Sequence, residues 1–225
     1  RLIPGEDTTI EYKPKYLDPS LISQSPSIAI GQAKQEIIRM GEYSVQGLQE
    51  AMQHINKYDK KHVNTVAQIE EAINSLDQKT TEYLVAISKQ SLSGHDSKVH
   101  NTLLENIRDI ERIGDHVENL IELTEFIENN GAQLSEEAMQ ELNGMLELVV
   151  ETVSLAIQSL DQLDVEAAKQ VLANEDQIDQ MERKLRKNHI VRLNNGICTG
   201  YAGVIFVDII SNLERVGDHA ANIAE

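Results

Sequence analysis

ERIGDHVENLIE runs from Glu111 to Glu122, and ERVGDHAANIAE runs from Glu214 to Glu225. Seven of the twelve positions are identical: Glu111/Glu214, Arg112/Arg215, Gly114/Gly217, Asp115/Asp218, His116/His219, Asn119/Asn222 and Glu122/Glu225. The offset is a constant 103 residues without a gap. Self-similarity at a fixed period sets the architecture before any other feature does. A period this long marks a duplicated domain rather than a solenoid unit.

Both copies have helical spacing. Ile110, Ile113, Val117, Leu120 and Thr124 recur every three or four residues and form one stripe, which Leu213, Val216, Ala220 and Ile223 repeat. Glu111 and Asp115 stand at i and i+4, so their carboxylates share a face beside that stripe, as do Glu214 and Asp218. Like charges at this spacing cost a helix a few tenths of a kcal/mol, roughly 0.2–0.5. A cation held between them reverses the sign, and carboxylates are hard oxygen ligands for such ions.

The doubled E-R-x-G-D-H-x-x-N resembles the PhoU domain signature, an E/D-x-x-x-D pattern followed by Asn, and the likeness covers residues 27 to 225. The resemblance implies an all-α fold of two tandem three-helix bundles and a role in regulating phosphate uptake. It also implies multinuclear iron or zinc on these carboxylates, as several family members carry. Two further stretches, Tyr16-Leu17-Asp18-Pro19 on to Arg39-Met40-Gly41, and His189-Ile190-Val191-Arg192-Leu193 through Cys198 to Asp208, are similar to the C-terminal PhoU-like part of bacterial sodium/phosphate cotransporter-family proteins. That likeness implies a link from residues 1–26 to a membrane portion.

Composition narrows the partners. Aromatic residues make up 4% of the 225, with no Trp, so the core is aliphatic and suits packed helices. All four prolines fall within the first 26 residues, which leaves the rest free of the strongest helix breaker. The formal net charge of −17 argues against duplex nucleic acid and anionic lipid, and it favours cations. Cys198 is the lone cysteine, so no intramolecular disulfide exists and a reducing cytoplasm is expected; packing is its expected role. No run of eighteen apolar residues is present. A chain starting at Arg1 reads as a fragment or a processed product.

In chain order, residues 1–26 read as an irregular lead-in, with Thr8 to Tyr12 a possible extended piece or all of it a disordered tail. Six long antiparallel helices follow: about 27–56 after Ser25 or Ser27, 60–90 capped by Asp59, 96–129 after a turn over 91–96, 136–160 capped by Ser135, 165–193 capped by Asp164, and one from near Cys198 to the end. Asn130-Gly131 and Asn195-Gly196 supply left-handed stops. The first bundle is set at 27–130 and the second at 131–225.

The middle helix of each bundle adds a second acidic set. Glu175 and Asp179, with Glu182 beyond, correspond at an offset of 105 to Glu70, Asn74 and Asp77. If the acidic faces of adjacent helices meet, the second repeat offers Glu175, Asp179, Glu214 and Asp218. The first offers Glu70, Glu111 and Asp115 with a neutral Asn74, so the second site is expected to bind metal more tightly. Arg112 and Arg215 are expected in helix-to-helix ion pairs, His116 and His219 in packing or hydrogen bonding, and Asn119 and Asn222 behind a ligand carboxylate. Gly114 and Gly217, each costing about 1 kcal/mol against Ala, are expected where helices come close. Glu118, Glu122, Glu125 and Glu147 read as solvated.

Three functions fit this pattern. One is a non-catalytic, metal-binding regulatory domain of phosphate uptake. It would be cytoplasmic at the inner face of the membrane, partnered by a phosphate transporter portion or a signalling protein, and a homodimer is possible. Inorganic phosphate would reach so acidic a chain through bound metal. The second is a carboxylate-bridged metal enzyme, against which stands the absence of Glu-x-x-His spacing, a nucleophile–base set or a Gly-rich phosphate loop. The third is a metal-free helical interaction scaffold.

Overall fold

The computed structural model describes residues 10–198 and 200–225, and within them it is all-helical. A short α1 (Leu21–Gln24) precedes six long helices: α2 (Pro26–Asn56), α3 (Lys60–Ile87), α4 (Gly94–Asn129), α5 (Glu136–Gln162), α6 (Val165–Asn194) and α7 (Gly200–Ala224). Side-chain oxygens take up the free amides at the helix starts. Asp59 accepts from Lys61, Ser135 from Ala138, and Asp164 from Glu166 and Ala167. At α4 the cap is Ser93, which accepts from the Asp96 amide, so this helix begins two residues before the expected Asp96. At α2 the fixed φ of Pro26 starts the helix and Ser25 gives no side-chain bond. Gly131 and Gly196 hold φ values of 60° and 68° just past their helices, the left-handed stop expected there. Leu163 ends α5 with the same handedness, at φ 54°, without a glycine's freedom.

Helices α2, α3 and α4 pack on one another, as do α5, α6 and α7, and α2·α5 and α4·α7 join the two sets. The apolar stripes read from the sequence are the buried ones: Ile110, Ile113, Val117 and Leu120 in α4, and Leu213, Val216, Ala220 and Ile223 in α7. One largely aliphatic core runs from Ile10 to Ile223 through both bundles. The two signature glycines sit at close approaches. A Cβ on Gly114 would lie 3.3 Å from Ile73 of α3, and one on Gly217 would lie 3.2 Å from Ile178 of α6. These contacts bring each signature helix against the middle helix of its own bundle, which sets its acidic face beside that of its neighbour.

Of the lead-in, residues 1–9 lie outside the described residues, and Thr8 and Thr9 with them. From Ile10 onward the segment is irregular in backbone but tied down. Glu36, fully buried on α2, accepts from the Lys15 and Tyr16 amides at 2.8 and 3.1 Å and pairs with Arg39. Arg39 in turn donates to the carbonyls of Lys13 and Glu11 at 2.9 and 2.7 Å. From α3, Ser75 reaches the Tyr12 carbonyl and Tyr83 the Asp18 carbonyl. A tail reading therefore does not hold for residues 10–24. A Glu–Arg pair within the α2 seam holds Glu11 to Tyr16 to the first bundle, and Gln32 and Tyr83 hold Asp18.

Candidate functional site

In the second repeat the acidic faces of α6 and α7 meet. Carboxylate oxygens of Glu175, Asp179 and Asp218 lie within 4.8 Å of one another, the one such trio of His, Cys, Asp or Glu side chains among the described residues. Glu175 is held above the ordinary carboxylate range by burial first, then by Asp179 and Asp218. Burial and then Asp179 raise Asp218. Glu214 is raised by burial, then by Asp218, Asp179 and Glu182, so it belongs to the same field without joining the trio. The Arg183 guanidinium reaches Asp179 at 3.3 Å from an exposed position, a weak compensation. An all-oxygen donor set under mutual repulsion is the chemistry a hard cation relieves, so these residues fit a metal ion.

The first repeat repeats the layout without the convergence. Glu70 accepts from the Asn74 side chain, and Asp115 is paired with Arg112 at 3.0 Å. Burial and then Asp115 raise Glu111, with Asp77 and Glu70 adding to the effect. Asn74 thus does more than withhold a charge, because its amide occupies an oxygen of Glu70. Glu118 is exposed, as read from sequence, and it borders this face. Its carboxyl is raised by burial, then by Glu70, Glu122 and Asp115. Its counterpart in the second repeat is Ala221.

Residues flanking the ligand candidates turn inward to the junction of the repeats. Helices α4 and α7 run antiparallel there, and the His116 and His219 rings face one another with centroids 5.6 Å apart. His116 Nδ1 lies 2.8 Å from Asn212 Oδ1, and His219 Nδ1 lies 2.7 Å from Asp109 Oδ1. Asn119 donates to the same Asn212 oxygen at 3.2 Å and Asn222 to the same Asp109 oxygen at 3.0 Å. Positions 109 and 212 correspond in the duplication, so each repeat clasps the other through equivalent residues, one charged and one neutral.

Three expectations change here. Asn119 and Asn222 hold the junction rather than a ligand carboxylate. Arg112 pairs within its own helix, with Glu111 and Asp115, instead of between helices. Arg215 makes no ion pair among the described residues and lines a groove between α4 and α7. Cys198 is half-buried in the turn before α7 rather than in the core. The hydrogen-bonding role expected of His116 and His219 is the one observed. Sequence reading missed Asp109 and Asn212; the signal available was their matching position two residues before each signature.

The PhoU domain family matches residues 37–124 and 142–225. A Thermotoga maritima protein described as phosphate-specific transport system accessory protein PhoU homolog 1 is 32% identical over 124 residues, 55% of this chain and 53% of its own length. A Xylella fastidiosa PhoU homolog of the same description is 27% identical over 190 residues, 84% of this chain and 79% of its own length. The crystal structure of PhoU from Pseudomonas aeruginosa superposes with a TM-score of 0.80 at 19% identity, covering 86% of this chain and 92% of that one. That of the Streptococcus pneumoniae phosphate transport system regulatory protein PhoU also gives 0.80, at 21% identity, covering 89% and 94%. These two structures share the helical fold described above.

Proposed function

Because this chain belongs to the PhoU domain family, we propose that it is a non-catalytic regulator of phosphate uptake that holds metal ions on its acidic helix faces. The observation that carries the metal reading is the meeting of Glu175, Asp179 and Asp218, with Glu214 beside them, on the face marked by the duplicated signature. Relatives described as accessory proteins of a phosphate-specific transport system support the regulatory reading. A bound cation would supply positive charge to an anion such as phosphate, which a chain of net charge −17 otherwise repels.

The second face is the tighter one in this reading. Three carboxylates converge there, while in the first repeat Asn74 and Arg112 already occupy oxygens of Glu70 and Asp115. Iron or zinc suits the family likeness. The protein acts at the cytoplasmic face of a membrane transporter. Attachment to a sodium/phosphate cotransporter portion ahead of residue 1 is the finer form of the proposal. Among the described residues no helix is long and apolar enough to cross a membrane.

Elemental analysis of purified protein, beside Asp218→Ala and Asp115→Ala, tests this. The expected result is iron or zinc in the wild type, the tighter class lost in Asp218→Ala and the weaker in Asp115→Ala. Absence of metal from folded wild type after reconstitution would leave the scaffold reading in its place. Equal affinity at both faces would overturn the asymmetry. Phosphate binding that survives complete chelation would overturn the metal-bridged route.

A further inference from the structure

The duplication supplies an internal reference for what the fold requires, and departures from it on the surface call for another cause. The clearest departure lies where α4 and α7 run past one another. A groove of about 570 Å³ opens there, floored by Leu123 and Ile205 and edged by Phe126 and Val204. Phe126 stacks on Tyr201 at its end, with ring centroids 5.1 Å apart. Phe126, Tyr201 and Val204 are 44%, 49% and 64% exposed, an apolar surface left to solvent on a strongly acidic protein. In the first repeat the residues matching Tyr201, Val204 and Ile205 are Lys98, Asn101 and Thr102. The same helix in the same fold thus does without these apolar side chains. Exposed apolar surface gathered in one groove marks a contact site.

We propose that the α4–α7 groove docks a cationic amphipathic helix of a partner protein. An apolar floor between two helical walls suits a helix laid in with its apolar stripe down. Charge chooses among occupants. The exposed carboxylates of Glu122 and Asp208 edge the groove against the single cation Arg215, within a chain of net charge −17. A second copy carries the same net charge of −17 and offers no complement to these carboxylates, whereas a helix with Lys or Arg flanking its apolar stripe meets both requirements. The groove is separate from the Glu175, Asp179 and Asp218 trio, so docking stands whether or not those carboxylates hold metal.

The test is fluorescence anisotropy with a labelled Leu/Lys amphipathic helix of about 18 residues, ~27 Å long, on the full chain at near-physiological salt. Val204→Lys and Asn101→Lys each add one positive charge, at corresponding positions of the two repeats. The expected result is binding that Val204→Lys weakens roughly tenfold or more, that Asn101→Lys leaves unchanged, and that persists in chelator. Equal effects of the two variants would reduce the binding to general attraction for an acidic protein and overturn the proposal. So would loss of binding on chelation. A wild-type dimer that Val204→Lys dissociates, seen by sedimentation velocity, would make a second copy the occupant. Val204-dependent co-sedimentation with phosphatidylcholine vesicles would make it a lipid surface. Circular dichroism confirms that each exposed substitution leaves the helices intact.

Discussion

Glu36→Ala removes the acceptor on which the anchoring of residues 10–16 converges. The side chain of Glu36 is fully buried and that of Arg39 is 8% exposed. Without the carboxylate, the Lys15 and Tyr16 amides lose their acceptor and the Arg39 guanidinium loses its buried counter-charge. Breaking one side of a buried ion pair costs about 3–5 kcal/mol, because the remaining charge stays desolvated. For a chain of this size about 1 kcal/mol moves the melting midpoint by roughly 2–4 °C, so a fall on the order of 10 °C is expected. Glu36→Gln keeps the volume and one acceptor oxygen but gives up the charge, at about 1–3 kcal/mol. Replacing both partners, Glu36→Leu with Arg39→Met, is expected to cost less than Glu36→Ala alone. Urea unfolding measures the stabilities, and trypsin cleavage after Lys13 and Lys15 reports whether the segment has come loose. If Glu36→Ala costs under about 1 kcal/mol and cleavage is no faster, the pair is not what holds the lead-in.

Three further outcomes are expected. His189 is fully buried, stacked on Phe206, and its pKa is depressed by burial and then by Arg192. A depressed histidine takes up its proton more readily in the unfolded chain, so the stability it contributes is present above about pH 6.5 and lost as pH falls through its folded value. His189→Leu, which copies Leu84 of the first repeat, should flatten the acid limb of a stability–pH curve; an unchanged slope would assign that limb elsewhere. Leu163→Gly should stabilise by about 0.5–1 kcal/mol in thermal unfolding, since Leu163 sits at positive φ with its side chain largely in solvent. Gly203→Ala should cost about 1–3 kcal/mol, because the added methyl falls 2.8 Å from His189 Nε2 and 2.9 Å from Leu193 Cδ2. Gly114→Ala, meeting Ile73 Cδ1 at 3.3 Å and Cγ2 at 3.7 Å, should be milder, and equal costs would refute the packing argument.

Local rules carried the helices. Asp59, Ser135 and Asp164 are caps whose chemistry acts within three residues, and the stripe of α4 from Ile110 to Leu120 repeats with the helix itself, so both were legible from sequence. The acidic faces were legible as faces because Glu175/Asp179 and Glu214/Asp218 each lie on one helix. The trio that converges depends on the rotation and depth of two helices, set by the fit of Ile178 against Gly217, and no spacing records that. The same limit hid Asp109 and Asn212, whose partners lie about a hundred residues away. The Glu36–Arg39 pair was visible as letters in an apolar seam, but its use depends on where the proline-rich lead-in folds back.

Each signature places two adjacent residues in different company. Asp115 and Asp218 look out to the acidic face of their own repeat, while His116 and His219, next in the chain, hold the opposite repeat. A turn of α4 about its axis at Asp115 therefore moves the grip on Asn212, and a turn of α7 at Asp218 moves the grip on Asp109. The proposed cation faces thus border one junction. Cation uptake at one is expected to alter affinity at the other, and by thermodynamic reciprocity the effect runs equally in both directions. The chain would then read its ions as a cooperative pair, and Asp109→Ala with Asn212→Ala would leave two independent listeners.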